Sequence, residues 1–192
     1  RLNVVIEETV RCLEEGRKIL ILSDRREHLK QIKAKIDKLE GWTCGFYLGG
    51  MKQSDLEKTE KMNVILGTFA MASEGFDCRE PLDTIILASP KSNIEQAVGR
   101  ILRIEEKDRV RVPLVIDIID SFASFKNQAV KRMRFYKKNN YKNVGKRKNY
   151  YRLSQGREDG LIFTKHMNLS SLESISRFSL FFLRKMLNFN RG

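Results

Sequence analysis

Lys18-Ile19-Leu20-Ile21-Leu22-Ser23-Asp24-Arg25-Arg26-Glu27-His28-Leu29-Lys30-Gln31-Ile32-Lys33-Ala34-Lys35-Ile36 passes from an unbroken apolar run into a charged segment. The run Lys18 to Ser23 has no alternation, so it predicts a strand buried on both faces. In Arg25 to Leu39, Leu29, Ile32 and Ile36 recur at helical spacing, with Gly41 as the stop. A doubly covered strand followed at once by an amphipathic helix is the repeating unit of a parallel α/β sheet.

The same unit recurs outward from this stretch. Leu2 to Leu13 has helical spacing, and Gly16 fits its stop. Trp42 to Leu48 reads as a strand broken by Gly49-Gly50. Ser54-Asp55-Leu56-Glu57 is a capping box opening a short helix. Asn63 to Gly67, Thr84 to Ala88 and Val112 to Ile119 read as further strands. A second capping box, Ser92-Asn93-Ile94-Glu95, opens a helix over Ile94 to Leu102. Phe122 to Lys138 is helical, with Phe122, Phe125, Ala129, Met133 and Tyr136 at compatible spacing. The expectation is a doubly wound, mostly parallel α/β sheet over residues 1–140. A basic helical extension follows, basic and then apolar across 141–192. In such sheets ligands gather at the carboxyl ends of the strands. Asp24-Arg25-Arg26, Gly49-Gly50, Thr68 to Asp77 and Ser89 to Asn93 all follow strand ends and should share one rim.

Composition narrows the function classes. Hydrophobic residues make up 41% of the 192, enough for a core. Cys12, Cys44 and Cys78 are scattered and odd in number, and His28 and His166 lie far apart. That speaks against a zinc site or a disulfide framework and for a reducing, intracellular setting, cytoplasmic or nuclear. No apolar run reaches the roughly 18 residues of a spanning helix, so no membrane partner is expected. The chain opens at Arg1 without a methionine or a signal-peptide pattern, and is expected to be a fragment of a longer protein.

Net charge is +13, unevenly placed. Residues 1–120 hold 20 basic and 21 acidic side chains, whereas 121–157 hold 12 basic and no acidic ones. A single-sign block beside a balanced domain suggests a polyanion partner. Within it, Lys137, Lys138, Lys146 and Arg147 are candidate nucleic-acid contacts, and the interleaved Tyr136, Tyr141 and Tyr150 could stack on unpaired bases.

Three motifs carry the chemistry. Gly67-Thr68-Phe69-Ala70-Met71-Ala72-Ser73-Glu74-Gly75-Phe76-Asp77 places a threonine at a strand end and a G-x-D seven residues later. Gln96-Ala97-Val98-Gly99-Arg100-Ile101-Leu102-Arg103 sets two arginines three apart, on one helix face. Two permanently charged forks aimed one way suit a cluster of phosphate oxygens. Ser23-Asp24-Arg25 ends the first strand beside a helix N-terminus, a natural phosphate seat.

Taken in chain order, each after its expected strand, the motifs resemble those of superfamily 2 helicases, over about residues 18–140, the second RecA-like domain. The looser spacing is similar to helicases of phages and large DNA viruses and their XPB-like relatives. The resemblance implies a viral source and a helicase or translocase that couples ATP hydrolysis to movement on nucleic acid, DNA rather than RNA. It implies that Gly75, Asp77, Gln96, Arg100 and Arg103 face ATP, with Arg100 and Arg103 as arginine fingers. Such fingers are worth on the order of 10³–10⁵ in rate in other NTPases. Arg25, Gly50 and Thr68 would meet the strand's phosphates. There is no G-x-x-x-x-G-K-[ST] and no D-E-x-[DH], so ATP and Mg²⁺ would be held mainly by the first RecA-like domain, the implied partner, and this chain alone should not hydrolyse ATP. Two other classes stay open: a non-catalytic nucleic-acid-binding module working through 121–157, and a nucleotide-binding α/β domain unrelated to nucleic acid, which would leave the charge block unexplained.

Overall fold

A computed structural model describes residues 1–74, 76, 78, 81–99, 111–119, 123–147 and 150–154, with backbone alone at 123–124, 146–147 and 150–154. The order is α1 Leu2–Glu14, β1 Ile19–Leu22, α2 Arg26–Ile36, β2 Cys44–Tyr47, α3 Gln53–Glu60, β3 Val64–Gly67, α4 Phe69–Glu74, β4 Thr84–Leu87, α5 Glu95–Gly99, β5 Leu114–Ile118, α6 Ala123–Lys138, β6 Lys142–Arg147 and β7 Tyr150–Ser154. The seven strands form one sheet in the order β2-β3-β1-β4-β5-β7-β6. β1 to β5 are parallel, and β7 runs antiparallel to both β5 and β6.

The apolar runs explain the layers. All four residues of β1, β3 and β4 are buried, as strands covered on both faces require. Leu20, Leu22, Ile65, Ile85, Leu87 and Val115 share a core with Leu56 of α3, Phe69 of α4, Val98 of α5 and Tyr136 of α6. α1 and α2 pack together, burying Val5, Ile6, Leu29 and Ile32. This is the doubly wound architecture that the strand–helix alternation predicts.

Two glycines end helical regions as expected, Gly16 at φ +70 and Gly41 at φ +85. Neither capping box forms. α3 starts at Gln53, one residue ahead of Ser54, with no side-chain cap. Before α5 the oxygen that accepts the Glu95 N–H is Asn93 Oδ1, at 3.3 Å.

The principal departure lies beyond residue 140, where the sequence closes the α/β unit. α6 is helical as expected, but residues 142–147 and 150–154 form the antiparallel strands β6 and β7, and β7 extends the same sheet from β5. The segment KNVGKR of β6 has no apolar alternation, and a bulge interrupts its pairing between Asn143 and Gly145. Its strand state comes from pairing with β7, which itself adds to the open edge of β5. The apolar part of the expected 141–192 extension lies outside the described residues.

Candidate nucleic-acid interface

The sheet register builds the site. One row crosses all seven strands: Tyr47, Gly67, Leu22, Leu87, Asp117, Tyr151 and Lys146. The residues that follow Tyr47, Gly67, Leu22 and Leu87 form the carboxyl rim, where the sequence motifs were expected to meet.

At the end of β1, Ser23 is fully buried, and its hydroxyl lies 3.2 Å from His28 Nδ1. The Asp24 N–H donates to Ser89 Oγ at 2.9 Å, so the ends of β1 and β4 are joined through a side chain. Arg25 stands exposed at the N-cap of α2. It lines a cavity of about 440 Å³ with Arg1, Glu27, His28, Gln31, Ser89 and Phe125. Arg1 braces this cavity, donating from Nε to the Ala88 carbonyl at 2.6 Å and from Nη2 to the Ile118 carbonyl at 2.8 Å.

At the end of β3, the Thr68 hydroxyl accepts the Met71 N–H at 3.3 Å and so caps α4. A hydroxyl that accepts in this way still has its own proton to donate. Phe76 packs edge-on against Tyr47, ring centroids 4.7 Å apart, and so pins the chain after α4 to the end of β2. Gly50 is exposed at φ +86, in a turn where the Met51 N–H donates to the Leu48 carbonyl. That backbone region favours glycine.

Lys91, which the sequence does not single out, links these places. Its ammonium pairs with the Asp24 carboxylate at 3.1 Å and lies 5.6 Å from the centre of the Phe69 ring. It therefore ties the segment of Arg25 to the segment of Thr68. Its signal in sequence is only a lysine after Pro90, which no pattern distinguishes.

α5 buries Ala97 and Val98 and leaves Gln96 exposed. Gly75, Asp77, Arg100 and Arg103 lie outside the described residues. Among the described residues no three His, Cys, Asp or Glu side chains converge as a metal site. The rim presents the exposed Arg25 side chain, the Lys91 ammonium and the Thr68 hydroxyl.

The basic stretch divides. α6 leaves the carboxyl rim and ends at Lys138. Lys142 then starts β6 opposite Ser154, which itself pairs with Leu114 at the amino end of β5. Exposed Lys137 and Lys138 thus lie toward the amino end of the sheet, away from Arg25, Gly50 and Thr68. The backbone of Lys146 and Arg147 returns to the level of Asp117 and Ile118, alongside the rim. The expected stacking by Tyr136 and Tyr141 is corrected: these rings are only 2% and 9% exposed. They pack with Phe135 at centroid distances of 5.6 and 6.1 Å and with each other at 5.5 Å. Arg132, one of the twelve basic residues of the 121–157 stretch expected to meet a polyanion, is 2% exposed and bonds Asp117. A helix face that must reach the core at 129, 132, 133 and 136 draws the arginine inward, and a buried carboxylate receives it.

Among the described residues no helix is long and apolar enough to cross a membrane. A family model described as "Helicase conserved C-terminal domain" matches residues 1–105. A protein of Acanthamoeba polyphaga mimivirus, named as a candidate ATP-dependent RNA helicase, is 40% identical over 129 residues, which cover 66% of this chain and 24% of that protein. A similarly named protein of African swine fever virus is 34% identical over 94 residues, 48% of this chain and 18% of that protein. The chain thus spans a quarter or less of these relatives. Among solved structures, the C-terminal domain of the DEAD-box protein Dbp5 matches with TM-score 0.52 and 12% identity over 70% of this chain and 77% of that one. T4 UvsW matches with TM-score 0.52 and 18% identity over 71% of this chain and 32% of that one. At such identities these two structures show the shared fold.

Proposed function

The chain belongs to the helicase conserved C-terminal domain family, and from that premise we propose that it is the second RecA-like half of an ATP-dependent superfamily 2 helicase or translocase. In this reading Arg100 and Arg103 reach ATP and Mg²⁺ held mainly by the first RecA-like domain, with Gly75, Asp77 and Gln96 along the same nucleotide edge. The chain's own contribution to hydrolysis is positive charge aimed at the transferred phosphoryl group, which matters most where charge develops. Arg25, Gly50 and Thr68 hold phosphates of a single strand, through a guanidinium, exposed backbone N–H groups and a hydroxyl. Closure and opening of the two halves then step that grip along the strand.

The observation that supports this best is the common rim: Arg25, Gly50 and Thr68 all follow strand ends in one sheet row, and Lys91 ties two of them together. The alternative, a non-catalytic module working through 121–157, is weakened because Arg132, Tyr136 and Tyr141 are buried. The expectation of DNA over RNA has no support in the relatives, whose names read RNA, so the proposal is made for a single strand of either kind.

Thr68→Ala and Arg25→Ala in the intact protein should each weaken binding of a labelled single strand several-fold; Arg25→Ala should leave Tm unchanged, since Arg25 is exposed, and Thr68→Ala should lower it slightly, since α4 loses its cap. Fluorescence anisotropy with matched RNA and DNA oligonucleotides measures this and ranks the two polymers. Unchanged affinity for both, across salt concentrations, would remove the strand-contact rim.

A further inference from the structure

We infer that Arg132 is a positioning residue for α5, the helix that precedes the proposed arginine fingers in sequence, holding the loop ahead of it through the Lys91 carbonyl. The inference rests on the finger reading above. Arg132 lies in the face that α6 turns to the sheet and is 2% exposed, while Asp117 on β5 is fully buried. Arg132 Nε donates to Asp117 Oδ2 at 2.8 Å, and Nη1 donates to the Lys91 carbonyl at 2.6 Å. Tyr136 OH donates to the same Oδ2 at 3.2 Å, while Asp117 Oδ1 is buried with no hydrogen bond.

A guanidinium is planar and rigid, so two of its nitrogens committed to two elements fix the angle between them. Here the elements are β5 and the loop from Ser89 to Ile94. That loop is short and held along its length. Ser89 Oγ accepts the Asp24 N–H, the Lys91 ammonium pairs with Asp24, Asn93 accepts the Glu95 N–H, and Ile94 is buried. Glu95, four residues after Lys91, begins α5, so a displaced Lys91 carbonyl displaces the start of that helix. A buried ion pair is a weak source of stability on its own, because desolvation offsets the attraction. Its distinctive product here is the fixed loop. Through Lys91 the same contact also reaches the strand-gripping segments of Arg25 and Thr68. Arg132 thus sits where a shift at the nucleic acid would be felt by α5.

The test is strand-stimulated ATP turnover by the intact protein. Arg132→Lys keeps a positive charge for Asp117 but lacks the planar fork. It should lower kcat about 10- to 100-fold, the scale of a small misplacement of a reacting group, with KM for ATP within about twofold. Tyr136→Phe removes a bond to the same carboxylate but spares the Lys91 contact. It should lower Tm and leave kcat unchanged. Full turnover in Arg132→Lys, or an equal loss in Tyr136→Phe, would overturn the inference. If Arg132→Lys does not fold, the neutral pair Asp117→Asn with Arg132→Gln carries the same readouts. Arg100→Ala, run alongside, separates the two ideas. Full turnover there overturns the finger reading, whereas loss there with none in Arg132→Lys overturns the positioning role alone.

Discussion

At the scale of single residues, charge and polarity were the least legible features of the sequence. Arg25 and Thr68 were placed correctly at strand ends because a strand's end is marked by where apolarity stops. Arg132 was not, because a basic residue in a basic stretch carries no sign of its partner, and Lys91 was not, because a lone lysine after Pro90 carries none either. Asp117 sits 15 residues before Arg132, and only the return of α6 onto β5 brings them together. Cys44 gives a test at this scale. Burial pushes its thiol up to about 12 from 9.0, partly offset by Lys33 and reinforced by Asp37. The folded state therefore holds this proton more tightly than the unfolded chain does. The associated stability is fully present below pH 9 and is lost as pH rises toward 12. Tm should fall across that window, and Cys44→Ala should show a shallower fall. It should not be flat, because burial beside Asp117 also raises the Tyr136 hydroxyl well above its usual 10.0. Identical alkaline slopes in a thermal scan would show that Cys44 titrates as in the unfolded chain.

At the scale of elements, the strands read by continuous apolarity were found within one or two residues of their expected ends. β1 was expected over 18–23 and spans Ile19–Leu22, and β4 was expected over 84–88 and spans Thr84–Leu87. The six-residue α4 lies within the Thr68 to Asp77 segment, whose residues carry no helical apolar period of useful length, and β6 is formed by pairing rather than by pattern. Close packing of α3 on β2 gives a second test. A Cβ at Gly45 would lie 2.6 Å from Met62 Sδ and 2.8 Å from Thr59 Oγ1. Thr59 is short, branched and bonded to the Phe46 carbonyl at 3.0 Å, so it has little room to yield. Gly45→Ala should destabilise the domain by about 1–3 kcal/mol, as overpacking does. A denaturant midpoint equal to the parent's would mean that α3 moves away freely.

At the scale of the whole molecule, the charge block was legible but its division between two ends of the sheet was not, since that requires the turn of β6. Lys146 and Arg147 return to the level of the rim, whereas Lys137 and Lys138 do not. In a salt series on a labelled single strand, Lys146→Ala with Arg147→Ala should flatten the log–log slope more than Lys137→Ala with Lys138→Ala. Each phosphate left without its cation lowers the magnitude of the slope by roughly 0.7 to 0.9. Equal slopes for the two pairs would mean that the block acts as a diffuse field. The same scale holds the central claim, that this chain completes an ATP site built on another domain. Its direct measurement is the steady-state ATP turnover of the intact protein at saturating single strand, with Arg100→Ala and Arg103→Ala compared with the parent. The account predicts that each lowers kcat by on the order of 10³-fold, while ATP affinity changes only a few-fold. Turnover unchanged in both variants would contradict it.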